Sequence, residues 1–111
     1  VQAYSSDDIR FKRKRRQVEA FAGVVQSMLD QRELVAGDLV VDFGCGAGAL
    51  ALPLAAQFPD LRFIGVEIRR SSIELLRGRV AACGLSNLEI WHGSIEDFEA
   101  AGTKFRLALG L

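Results

Sequence analysis

Hydrophobic and polar positions follow two rhythms along this chain. Between residues 5 and 32 the apolar positions Val18, Phe21, Val25, Met28 and Leu29 return at spacings of three and four. That is the period of one long helix with a single apolar face. Ser5 or Ser6, followed by Asp7 and Asp8, makes an acidic, cap-like start for it. After "AGD", Ala36 to Asp38, the rhythm changes. Leu39–Phe43, Arg62–Ile68, Leu88–Gly93 and Phe105–Leu111 are short apolar runs bounded by turn residues. Near-continuous runs of this kind predict parallel strands covered on both faces.

Helical stretches alternate with these strands. One runs from Gly48 to Gln57 and stops where Pro59 forces its neighbour out of helix. A second opens on a capping box, Ser71 with Glu74, and closes at Gly84. "SIEDFEAAGTK", Ser94 to Lys104, makes a short helical turn and loop. The order α-β-α-β-α-β-(turn)-β implies right-handed crossovers and a mostly parallel sheet in a three-layer αβα arrangement. The fold class is α/β. Residues 1–34 read as an N-terminal basic and amphipathic helix, and residues 35–111 as the sheet domain.

Candidate chemistry gathers after the first strand. Gly44, Gly46 and Gly48 alternate there, with the small Cys45 between them. Glycines let the chain turn sharply and let a ligand lie against bare backbone. The helix that follows would add unpaired N–H groups and a partial positive charge. The dinucleotide pattern G-x-G-x-x-G/A fits these residues too, with Ala49 in its last place. Asp42, two residues before Gly44, argues against that ligand. A carboxylate at the strand's end would repel a pyrophosphate and accept an ammonium group. Glu67 closes the second strand, where an acidic side chain accepts hydrogen bonds from both ribose hydroxyls. The plain alternative for Glu67 is a solvated strand-end charge.

These residues resemble a known family. "VVDFGCGAGALALPLA", Val40 to Ala55, is similar to motif I of the class I S-adenosylmethionine-dependent methyltransferases, D-x-G-x-G-x-G. "FIGVEI", Phe63 to Ile68, resembles the next motif, and "NLEIWHGSIEDF", Asn87 to Phe98, the motif on the third strand. The resemblance covers Val35 to Leu111 and implies a Rossmann-like domain whose cofactor is S-adenosyl-L-methionine. It would place Asp42, Gly44 and Gly46 along the methionine and ribose part, within a loop completed by Cys45 and Gly48. Glu67 would hold the ribose hydroxyls, Ile68 would pack on the adenine face, and Ser94 with Ile95 would lie at the adenine edge. Ser94 stands where the family most often has Asp. "KFRLALGL", Lys104 to Leu111, is similar to a narrower branch that includes the methyltransferase-like domain of glutathione S-transferase C-terminal-domain-containing protein. Arg106 there replaces an Asp.

Family members build seven strands in the order 3-2-1-4-5-7-6, and this chain supplies four. It opens on Val1 rather than Met and ends on "FRLALGL". The expectation is therefore an excised domain or fragment, truncated after the fourth strand. That strand would be an open apolar edge, completed by further chain or by self-association. Acceptor-positioning residues follow this point in the family, so no catalytic residue is named.

Composition narrows the remaining classes. Fourteen Lys and Arg balance fourteen Asp and Glu, which gives no global case for nucleic acid or membrane. No apolar run approaches the roughly 20 residues of a bilayer span. Two cysteines are too few for a disulfide framework or a zinc cluster, no metal site is expected, and reduced thiols fit a cytoplasmic setting. Cys45 has no neighbour that would make it a nucleophile, and Cys83 reads as core. His92 reads as a strand-end residue and Trp91 as packing. Charge is uneven locally: Arg10, Lys12, Arg13, Lys14, Arg15 and Arg16 crowd into one segment. They read first as a solvated helix face, and alternatively as a contact for RNA phosphates. The function expected is an S-adenosylmethionine-dependent methyltransferase acting on RNA or protein, with RNA ahead. A nicotinamide (NAD(P)) oxidoreductase and a non-catalytic interaction domain are the rivals.

Overall fold

The structure, a computed structural model, describes residues 6–110. The expected acidic cap over Ser5 to Asp8 lies outside the residues whose side chains are described, as does Leu111. The elements are α1 (Ser6–Asp30), β1 (Leu39–Phe43), α2 (Ala51–Gln57), β2 (Arg62–Glu67), α3 (Arg70–Cys83), β3 (Leu88–His92), α4 (Ile95–Ala100) and β4 (Leu107–Leu109). The four strands form one sheet in the order β3-β2-β1-β4, and every neighbouring pair is parallel. This is the α/β, Rossmann-like arrangement that the sequence predicts.

Side chains leave the strands alternately to the two faces, as the period of two requires. Val40 and Phe63 join Leu54, Leu76 and Leu109 in the larger core, beneath α1, α2 and α3. Leu39, Val41, Ile64 and Val66 face the other way and pack with Phe98 of α4. Edge-on ring contacts extend that second cluster: Phe98 meets Phe43 at 5.7 Å and Trp91 at 5.5 Å. Trp91 is packing, as expected. Val18, Phe21, Met28 and Leu29 of α1 pack against the larger core, and Ala22 and Val25 are buried in it.

Several local expectations are corrected. The helix expected from Gly48 begins at Ala51, because Gly44, Gly46 and Gly48 all adopt positive φ and keep the chain in turns. The capping box at Ser71 does not form. Here α3 starts at Arg70, and the N-cap residue Arg69 makes no side-chain cap bond. Cys83 is exposed rather than core. Ile73 and Leu76 of α3 are buried, and Val80 packs against the larger core with Leu85, which lies beyond the left-handed Gly84. The last strand is three residues long; Phe105 ahead of it turns its ring onto Phe43, 5.8 Å away.

One side chain fastens the layers together. The Asn87 amide nitrogen donates to the carbonyl oxygens of Ala55, Phe58 and Leu61, at 2.9, 3.1 and 3.0 Å. It thereby ties the entry to β3 to the end of α2 and the loop before β2.

Candidate functional site

The carboxyl ends of β1, β2 and β3 open together into a crevice, the place where open parallel sheets hold ligands. A pocket of about 220 Å³ lies there, lined by Gly44, Glu67, Ile68, Gly93, Ser94 and Ile95 among others. Of the eight residues that line it, five carry the sequence expectation and Val66, Gly93 and Glu96 do not; Asp42, Cys45, Gly46 and Gly48, also expected at the site, lie outside the lining. Nothing in the sequence alone singled out Gly93, whose role is steric. A β-carbon at Gly93 would collide with the Trp91 ring.

Two carboxylates sit behind the crevice, in opposite states. Glu67 is only 5 % exposed, yet it is fully engaged. Its Oε1 accepts the Gly46 N–H, and its Oε2 accepts the N–H groups of Ile68 and Arg69, each at 2.9 Å. Burial alone would raise this carboxyl. The N–H groups of Arg69, Gly46 and Ile68, with the Arg69 guanidinium at 3.6 Å, hold it below the ordinary range instead. Glu67 is therefore no solvated strand-end charge. It ties the glycine turn to β2 and holds the Ile68–Arg69 backbone that leads into α3. About three of the roughly four lone-pair positions of a carboxylate are used, leaving about one on Oε1 for a ligand hydroxyl.

Asp42 is the contrast. It is 4 % exposed, and its Oδ2 is buried with no hydrogen-bond partner. Loss of water raises its pKa from 3.8 to about 6. A buried acceptor left without a donor is unfavourable by about 1–3 kcal/mol. A ligand bringing an ammonium or hydroxyl donor would relieve that cost.

The glycine turn stands between the two. Gly46 has φ of 56°, and an added β-carbon would meet nothing within 4 Å, so the bare backbone faces open space. Cys45 points the other way, into the core. Its Sγ rests on Gly65 of β2, where a β-carbon would stand 2.7 Å from the sulfur. Burial pushes the Cys45 thiol up to about 12, with the Asp42 and Glu67 charges adding to the effect, so it stays protonated. The Arg79 guanidinium reaches back from α3 to the Ala47 carbonyl, at 3.0 Å, and holds the far side of the turn. Sequence reasoning missed this clamp, because 32 residues separate the partners.

The rim is mixed. Ile68 and Ile95 expose 64 % and 42 % of their surface beside the pocket, which suits the faces of a flat ring. Ser94 caps α4 by accepting the Asp97 N–H at 3.0 Å, so part of its hydroxyl capacity is already spent. His92, exposed at the end of β3, places Nε2 3.0 Å from the Ile68 carbonyl oxygen. Among the described residues no group of His, Cys, Asp and Glu could hold a metal ion, and no helix is long and apolar enough to cross a membrane.

Comparison with known proteins agrees with this geometry. A family described as "Methyltransferase domain" matches residues 40–110. The release factor glutamine methyltransferase of Vibrio cholerae serotype O1 is 36% identical over 84 residues, covering 76% of this chain and 29% of that protein. The tRNA (guanine-N(7)-)-methyltransferase of Shewanella amazonensis is 38% identical over 55 residues, covering 50% of this chain and 23% of that protein. Among solved structures, PKMT2 from Rickettsia typhi in complex with AdoHcy gives a TM-score of 0.61 at 29% identity, over 66% of this chain and 14% of that one. Coclaurine N-methyltransferase bound to N-methylheliamine and SAH gives 0.63 at 22% identity, over 86% of this chain and 25% of that one. That last likeness speaks for the fold alone. The chain spans less than a third of the length of either curated relative.

Proposed function

Because the chain belongs to the methyltransferase-domain family, we propose that it is the cofactor-binding part of a class I S-adenosylmethionine-dependent methyltransferase. The observation that carries this reading is the pairing of Asp42 and Glu67 across the glycine turn. An unpartnered buried carboxylate beside open backbone fits the ammonium group of a methionine moiety and disfavours a pyrophosphate. The same feature separates the reading from a dinucleotide oxidoreductase.

The residues present fit the cofactor, and they divide the work. Asp42 would accept from the methionine end, and the open backbone at Gly44 and Gly46 would lie against the ligand. Glu67 would take a ribose hydroxyl on its remaining lone pair, and Ile68 and Ile95 would enclose the adenine. Ser94 would face the adenine edge with what its capping role leaves free. Gly48 and Cys45 shape the turn from beneath. When bound, the cofactor offers a methyl group on a cationic sulfur, and transfer then depends mainly on in-line placement of an acceptor. The acceptor class is RNA or protein. Supporting this, the similar relatives include a methyltransferase named for a release factor glutamine and others named for tRNA guanine. Two free thiols, Cys45 and Cys83, fit a reducing, cytoplasmic setting. The narrower branch with the glutathione S-transferase C-terminal-domain-containing protein rests on Lys104 to Leu111 alone.

Calorimetric titration of this chain with S-adenosylhomocysteine tests the reading, with NAD in parallel. Saturable binding of the homocysteine compound alone is expected, weakened at least tenfold in Glu67→Ala. Because Glu67 also holds three backbone N–H groups, Glu67→Gln serves as the milder variant. Saturable binding of NAD in place of the homocysteine compound would overturn the proposal.

A further inference from the structure

The strongest feature that the crevice does not use is the first half of α1. Arg10 to Arg16 carries six of the fourteen Lys and Arg in the chain, and no carboxylate falls between Ile9 and Val18. The eight that remain face all fourteen Asp and Glu, so a chain that is neutral overall concentrates its positive charge here. Residues 9 to 16 are exposed without exception, and α1 enters the core only from Val18 onward.

Geometry puts this segment at the crevice. The 25 residues of α1 extend about 37 Å, while the five of β1 extend about 17 Å. The helix delivers the chain to the start of β1, so its excess length lies beyond the opposite, carboxyl ends of the strands. One shared hollow marks the position. Lys14, Gln17 and Val18 share a small hollow of about 60 Å³ with Ala49 and Leu50, the last residues of the glycine turn.

The pattern also selects among polyanions. Arg13, Lys14, Arg15 and Arg16 follow one another at about 100° per residue and so surround the helix. A helix lying on a membrane needs one apolar face. The apolar residues here, Ile9 at 48 % and Phe11 at 68 % exposed, stand about 200° apart, on opposite sides. A flexible strand that wraps around the helix suits cations on every side. A solvent-facing phenyl ring among them suits an unpaired base, which duplex DNA does not offer.

We propose that residues 10–16 of α1 dock single-stranded RNA, the cations on its phosphates and Phe11 under an unpaired base, at the rim of the crevice. The docking rests on α1 alone; that the docked strand is the methyl acceptor rests on the proposed function above. Arg15 is partly committed, since its Nε lies 3.3 Å from Glu19 on the same helix. The informative cations are therefore Arg13, Lys14 and Arg16.

The test is fluorescence anisotropy with a labelled, unstructured RNA of about ten nucleotides, titrated between about 50 and 200 mM salt. Replacing Arg13, Lys14 and Arg16 together by Gln should weaken binding at least tenfold. It should also reduce the log–log salt slope by about 2, at roughly 0.7 for each phosphate no longer neutralised. Phe11→Ala should weaken RNA binding at least fivefold and leave duplex DNA binding unchanged. All these variants should keep the homocysteine compound's affinity, which shows that they fold. Unchanged RNA affinity in the triple variant would overturn the proposal. So would equally tight binding of duplex DNA, poly-glutamate or anionic phosphatidylserine vesicles by the parent chain. If RNA binding falls as described while no variant and no parent binds the homocysteine compound, and the variants keep the parent's circular dichroism spectrum and melting profile, the docking stands and the crevice reading falls.

Discussion

Oδ2 of Asp42 and the two oxygens of Glu67 sit only a strand apart and respond to acid in opposite senses. Asp42 holds its proton up to a pH of about 6, against 3.8 ordinarily. Between those values the folded chain binds more protons than the unfolded one, so stability falls as pH rises. The loss amounts to about 3 kcal/mol at most, taking 1.36 kcal/mol for each unit. Asp42→Asn should flatten this decline in urea unfolding followed from pH 4 to 7. A slope unchanged by the substitution would place the titration elsewhere. Glu67, depressed by its N–H donors, works the other way: its contribution is complete above the usual carboxylate range and disappears on acidification below it. An ammonium-bearing ligand needs Asp42 ionised, so affinity for S-adenosylhomocysteine should tighten from pH 5 to pH 7. Calorimetry in buffers of different ionisation enthalpy should show proton release on binding at pH 5. That both carboxylates lie at the carboxyl ends of neighbouring strands was legible in the sequence. That Glu67 already holds three N–H groups was not, since one of them comes from Gly46, 21 residues away.

The strands were the most legible elements, because continuous apolar runs bounded by turn residues leave little choice. Boundaries set by contact between elements were less so. The start of α2 depends on the positive φ angles of the turn, and the backbone leading into α3 is held by Glu67 from the preceding strand. No local pattern around Ser71 carries that information. The turn itself rests on a close approach of Cys45 to Gly65, which neither residue announces alone. Gly65→Ala should therefore destabilise the domain by about 1–3 kcal/mol, the usual cost of overpacking a filled core. Adding Cys45→Ala removes the sulfur that stands 2.7 Å away but leaves its β-carbon at 3.2 Å. The double variant should recover part of the loss. Simple additivity in a double-mutant cycle would show that the two side chains do not meet.

At the scale of the molecule, the sheet has two margins, β3 and β4, and β4 pairs with β1 on one side only. Parallel strands open along a margin are templates for further pairing. Sedimentation of the purified chain is expected to show association that grows with concentration and diminishes when Ala108, exposed on β4, is replaced by Pro. A monodisperse monomer that melts cooperatively would count against this. Durability has a narrower foundation, in Asn87. Its single amide nitrogen serves three carbonyl oxygens at once, on segments 26 to 32 residues upstream. Slow hydrolysis of that amide, the common ageing reaction of asparagine, would replace a donor with an anion pointed at three acceptors. Mass spectrometry of stored protein should find molecules one dalton heavier at Asn87 enriched in whatever fraction has come unfolded.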